Sequence, residues 1–142
     1  MKNKHVLIIR NAYQKDTGGA EQYAFNLAKA LRGTSYTPIV VTKHKAIHKK
    51  CHTEGIKTIQ GVWYEQQEWD RKYYLRYVYT TLWYMWIIVS RRIAIVHPQS
   101  RDDFVFATTA ASLLRRRVIW TDHADLKYLM DRVNRPHPRM QN

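Results

Sequence analysis

The sequence predicts an α/β fold in which a parallel β-sheet is covered by helices on both faces. Three observations lead there. Short β-branched runs recur along the chain: "VLII" at 6–9, "TPIVVT" at 37–42, "AIVH" at 94–97 and "VIWT" at 118–121. These runs are continuously apolar, the pattern of strands buried on both sides. Helical spacing of apolar residues separates most of them, and strands alternating with helices imply right-handed crossovers into one parallel sheet.

The elements follow in order. His5 to Arg10 reads as the first strand; its apolar run is too short for a secretory signal and Arg10 interrupts it. Tyr23, Ala24, Leu27, Ala28 and Leu31 mark a helix from Ala20 to Leu31, which Gly33 ends. Thr37 to Thr42 is the second strand, and "KTI" around Thr58 a weak third. Residues 67–91 predict a long helix, Ala94 to His97 the fourth strand, Asp102 to Leu114 a helix and Val118 to Thr121 the fifth strand. The segment 131–142, "DRVNRPHPRMQN", has no apolar periodicity and reads as an irregular tail after a domain spanning 1–130. No internal repeat is present.

Between the second and third strands, residues 43–53 carry His44, His48, Cys51 and His52. The spacing H-x3-H-x2-C-H lacks the two separated pairs of structural zinc sites. Lys43, Lys45, Lys49 and Lys50 would also oppose a cation, so the segment reads as a solvated basic loop and no metal is expected. In the long helix, Leu75, Val78, Leu82, Met85, Trp86 and Val89 form the expected core stripe, and Tyr73, Tyr77, Tyr84 and Ile88 lie beyond it. Asp102 and Asp103 read as capping and first-turn charges. Asp122 and His123 are adjacent on an extended segment, so their side chains point apart and a direct dyad is not expected.

Composition bounds the partners. The 142 residues suffice for one domain with a core, and a single cysteine, Cys51, excludes an internal disulfide and suits a reducing, cytoplasmic compartment. The net charge is +13, which points to a polyanionic partner: nucleic acid, an anionic membrane face or phosphorylated substrates. Five Trp and ten Tyr leave a nucleic-acid reading open on composition alone. The uncharged stretch Tyr77 to Ser90 holds 14 residues, too few to span a bilayer.

Chemistry concentrates after the strands. In a parallel sheet ligands bind outside the carboxyl ends of the strands, where Asn11 to Gly19, Lys43 to His44, His97 to Ser100 and Asp122 to His123 converge. The first of these contains "TGGAE", which is neither a Walker loop nor a dinucleotide fingerprint. Two readings stay open. Gly18 and Gly19 let a phosphate or sugar approach a helix N-terminus, or they form a tight turn with Thr17 as cap.

"GGAEQYAFNLAKAL" after a first strand resembles the opening of the N-terminal domain of family 4 glycosyltransferases, retaining enzymes of the GT-B fold. "AIVHPQS" resembles that family's strand ending in His, and "AASLLRRRVIWTDHADL" its alanine- and leucine-rich helix followed by a strand closed by Thr-x-His. The resemblance covers roughly residues 4–126. It implies a Rossmann-like lobe that holds the acceptor, facing a second lobe that holds a nucleotide-sugar donor. Gly18 and Gly19 then match the loop that approaches phosphates or acceptor. His123 matches the histidine facing the transferred sugar, and Thr121 and Asp122 lie beside it. His97 and Ser100 match the acceptor rim. Ala124 stands where many members have glycine.

The resemblance further implies diphosphate stabilisation by basic side chains without metal or other cofactor. It also implies a glycan or lipid-linked acceptor, and nucleic acid is not expected. The family's donor lobe has no counterpart in 142 residues, so the expectation is an acceptor half, inactive alone, in the cytoplasm. Peripheral contact with the inner face of the plasma membrane fits the aromatic helix. The other reading is a basic, non-catalytic module binding anionic lipid or nucleic acid.

Overall fold

The computed structural model describes residues 4–11, 18–62 and 73–121, the side chains of Arg101 and Asp102 excepted. The predicted segment 131–142 and His123 lie outside the described residues. The elements are β1 (Lys4–Ile9), α1 (Gly19–Leu31), β2 (Tyr36–Thr42), α2 (Lys45–Thr53), β3 (Lys57–Gln60), α3 (Tyr73–Ser90), β4 (Ile93–Pro98), α4 (Arg101–Leu113) and β5 (Arg117–Val118). The strands form one sheet in the order β3-β2-β1-β4-β5, and every pairing is parallel.

The strand alternation sorts the core into two layers. Val6, Ile8 and Val40 face α1 and α2 with Ala24, Phe25, Ala28, Ile47 and Cys51. Leu7, Ile9, Ile39, Val41 and Val96 face α3 and α4 with Tyr84, Ile87, Ile88, Phe106 and Ala110. Both faces of the central strands are therefore buried, as their unbroken apolar sequence requires. β5 is shorter than expected; its ladder continues only through the Ile119 N–H, which donates to Val96 O at 3.0 Å.

Residues 45–53 are a helix, not the solvated basic loop that composition predicts. Ile47 and Cys51, four residues apart, are fully buried and seat the helix on the sheet. Two histidines and three lysines among the other positions mask that two-residue anchor in the sequence. His48 Nδ1 pairs with Thr58 Oγ1 at 2.8 Å, and Cys51 points into the core, so the histidines and the thiol do not converge. No group of three metal-ligating side chains occurs among the described residues.

Burial pushes the Cys51 thiol from 9.0 up to about 11. The folded state thus keeps the proton that the unfolded chain releases, so this contribution is full below pH 9 and lost as pH rises from 9 to about 11. The fall should amount to about 2–3 kcal/mol. Denaturant melts across that window should show it, and Cys51→Ala should flatten the slope.

The largest departure concerns α3. The stripe expected in the core is turned outward: Leu75 is 75%, Val78 54%, Leu82 58%, Trp86 60% and Val89 58% exposed. Met85 alone of that set packs against the core. The buried face is instead Tyr73, Arg76, Thr80, Thr81, Tyr84, Ile87 and Ile88. Polar anchors decide it: Tyr77 donates to Thr109 Oγ1 at 3.0 Å, and the Tyr84 hydroxyl donates to Asp103 on α4. These two bonds tie the tyrosines of the inward face to α4, while the hydroxyls of Thr80 and Thr81 on that face are buried with no partner among the described residues.

Candidate functional site

The carboxyl edge of the sheet is built around two buried polar clusters. In the first, Arg10 leaves β1 and meets Glu21 in the first turn of α1. Arg10 Nε and Nη2 both lie 2.9 Å from Glu21 Oε1, and Arg10 Nη1 donates to Gln99 O at 2.8 Å. Glu21 is 1% exposed, and its Oε2 accepts from the Gly18 N–H at 3.0 Å. One guanidinium therefore ties together the ends of β1 and β4 and the start of α1.

The second cluster holds the next residue. Asn11 Nδ2 donates to Tyr84 OH at 3.2 Å and to Asp103 Oδ1 at 3.4 Å, and its backbone N–H donates to Ser100 Oγ at 3.4 Å. Ser100 in turn donates to Asp103 Oδ2. Asp103 is thus a buried acceptor for three elements, not the exposed first-turn charge that its position at a helix start suggests. Burial first, then the Asp103 carboxylate, hold the Tyr84 phenol well above its ordinary range, so it donates as a neutral hydroxyl. Gly61, after β3, closes over the cluster: a Cβ there would lie 2.0 Å from Asn11 Oδ1.

Of the residues singled out in the sequence, Gly18, Gly19, His97, Ser100 and Thr121 fall on this edge, while Asp122 and His123 lie outside the described residues. His97 Nε2 lies 2.8 Å from Thr121 Oγ1, joining the ends of β4 and β5. Gly18 has φ −81° and ψ −179°, which any residue adopts, and a Cβ on Gly19 would meet nothing within 4 Å. The backbone angles of Gly18 do not require glycine, and the packing around Gly19 does not either. The Gly18 N–H is already taken by Glu21, which leaves the N–H groups of Gly19 and Ala20, without intrahelical acceptors, pointing out of the helix.

Two further residues of the post-strand segments, Gln99 and His44, complete the rim. Among the described residues, the side-chain amide of Gln99, 2% exposed, has no hydrogen-bond partner at either atom. Both ring nitrogens of His44, the residue before α2, are likewise buried and without a partner among the described residues. Buried polar groups are paired in the great majority of cases, so each orphan asks for a partner. Only position after a strand marked them in the sequence, and that mark is shared by many residues.

A five-stranded parallel sheet between two helical layers, with a glycine turn opening its first helix at the carboxyl rim, is one Rossmann-like lobe of the kind found in GT-B glycosyltransferases. The chain belongs to glycosyltransferase family 4, whose model matches residues 17–142. No curated protein matches it by sequence.

Among solved structures it is similar to a glycosyltransferase from Rickettsia africae ESF-5, with TM-score 0.69 and 16% identity over 92% of this chain and 34% of that one. It is also similar to MurG from Acinetobacter baumannii, with TM-score 0.63 and 16% identity over 92% of this chain and 39% of that one. A Listeria monocytogenes protein assigned as a UDP-N-acetylglucosamine 2-epimerase has TM-score 0.58 and 14% identity, over 85% and 32% of the two chains. The chain spans between 32% and 39% of the length of these structures.

Proposed function

We propose that the chain forms the acceptor-side lobe of a retaining glycosyltransferase. It would move a sugar from a nucleotide-sugar donor to a glycan or lipid-linked acceptor, in cell-surface polysaccharide or glycolipid synthesis. Family membership across residues 17–142 carries this reading. Fold alone would not, since the same architecture occurs in a protein assigned as an epimerase. In this reading Gln99 and His44 give their unpaired polar atoms to acceptor hydroxyls, alongside His97 and Ser100. The N–H groups of Gly19 and Ala20 meet phosphate or sugar oxygens at the helix N-terminus. His123, with Thr121 and Asp122 beside it, contacts the transferred sugar.

The lobe positions and desolvates the acceptor, and the rate gain comes from holding two reactants in register and from fixed dipoles. The diphosphate is the donor lobe's to stabilise, so this chain alone should give no transfer. The test assays transfer with the chain alone and then supplied with a family donor lobe. Gly19→Ala should leave melting unchanged or raise it, by up to about 1 kcal/mol of helix propensity, yet slow transfer about tenfold or more by crowding the ligand. His123→Ala should lower transfer about 10²–10³-fold with near-normal melting. Turnover by the chain alone would overturn the half-enzyme reading. Full transfer by His123→Ala would remove that residue from the site.

A further inference from the structure

We infer that the outward face of α3 and the arginines at the amino edge of the sheet form one docking surface for an anionic membrane. The stripe Leu75, Val78, Leu82, Trp86 and Val89 lies on one side of α3 and is more than half exposed along its length. From Leu75 to Val89 it extends about 21 Å. It is a continuous apolar band, not the scattered exposure of an ordinary surface. The sheet and α4 cover the other sides of this helix.

The charge lies at one end of that band. α3 and α4 both run against the strands, so both end at the amino edge. Arg91 and Arg92 follow α3, and Arg115, Arg116 and Arg117 follow α4; all five are exposed. From Tyr73 to Thr121 the only acidic residues are Asp102 and Asp103, at the opposite edge. Among the described residues no ion pair neutralises the arginines at the amino edge.

Backbone geometry supplies an independent observation. All four helices are followed by a residue in the left-handed conformation. After α1 and α2 it is Gly33 (φ 78°) and Gly55 (φ 66°), and after α3 and α4 it is Arg92 (φ 51°) and Arg115 (φ 52°). Glycine adopts this conformation freely and a side chain does not. The α3–α4 layer therefore places arginine where the fold itself favours glycine, on the one edge where the apolar band ends.

An aliphatic and indole band flanked by arginines has the composition of an interfacial anchor: Trp and Leu enter the acyl boundary and guanidiniums meet phosphate and acidic headgroups. Nucleic acid would match the arginines but leave the aliphatic band uncovered. Among the described residues no helix is long and apolar enough to cross a membrane, so the contact lies in the interface plane. α3 begins at the carboxyl edge. A helix lying along the bilayer thus brings the acceptor rim to lipid, a consequence that rests on the transferase reading, whereas the docking itself does not.

The experiment measures binding of the whole chain to vesicles of phosphatidylglycerol and phosphatidylcholine in equal parts, and to phosphatidylcholine alone, with melting and sedimentation of every variant. Leu82→Asp with Trp86→Asp should weaken binding to the mixed vesicles about tenfold or more without lowering the melting temperature. Arg92→Gly with Arg115→Gly should raise the melting temperature, yet also weaken binding about tenfold and reduce its salt dependence. Lys45→Ala with Lys49→Ala, an equal charge loss on α2, should change binding little. Four results would overturn the proposal: equal losses for the lysine and arginine pairs, equal binding to neutral vesicles, or tighter binding to duplex DNA that ignores the Leu82 and Trp86 changes. The fourth is a fall in melting or in oligomeric state on those changes, which would show that protein covers the band. Transfer to a soluble acceptor is unaffected by any of these results and tests the enzymatic reading separately.

Discussion

Glu21→Ala is expected to cost about 3–5 kcal/mol, the largest loss of any single substitution considered. Glu21 is 1% exposed and faces a guanidinium that is itself buried. Removing the carboxylate leaves Arg10 charged in the interior and strips the Gly18 N–H of its acceptor. Against a total stability of about 5–15 kcal/mol, such a loss should lower the melting temperature by about 10 °C or more. Added salt should not mimic the effect, since buried pairs are weakly screened. Arg10→Met with Glu21→Leu should recover much of the loss, because the pair is costly chiefly when broken. A loss below about 1 kcal/mol, the range of exposed pairs, would mean that water reaches this pair in solution.

Gly61→Ala is expected to follow, at about 2–3 kcal/mol. Gly61 does not take a left-handed conformation, so backbone strain is not the reason. The added methyl would sit 2.0 Å from Asn11 Oδ1. Asn11 can yield only by withdrawing Nδ2 from Tyr84 and Asp103, which leaves buried groups unpaired. Asn11→Ala opens the space in advance. The double variant should therefore be more stable than the sum of the two single losses allows. Strict additivity in denaturant melts would show that the contact does not limit this site.

The strands and most helices were legible because each carries its own signal. "VLII" and "TPIVVT" are unbroken apolar runs, and only burial on both faces accounts for such runs in a chain with 24 basic residues. α1 shows its spacing and its glycine stop. α2 did not, because two buried residues, Ile47 and Cys51, anchor nine positions otherwise crowded with Lys and His. At the rim, Gly18, Gly19, His97, Ser100 and Thr121 are placed by position after a strand, which the topology rule makes readable. Gln99 and His44 share that position, but their distinguishing property is the absence of a partner, and partners are set by the fold.

The parallel α/β architecture, the edge on which polar groups gather and the family were readable before folding is considered, since these depend on local periodicity and on motifs in order. The assembled fold settled which way α3 faces, that Asp103 is interior and that Gly61, not Gly19, is the glycine the rim packing requires. The physical reason is the same in all three. Hydropathy measures what a side chain gains by leaving water, and on α3 two faces gain comparably. The choice falls to a few long-range contacts, Tyr84 with Asp103 and Asn11, and Tyr77 with Thr109. Those partners stand between 19 and 73 residues apart along the chain and meet only when the sheet is assembled.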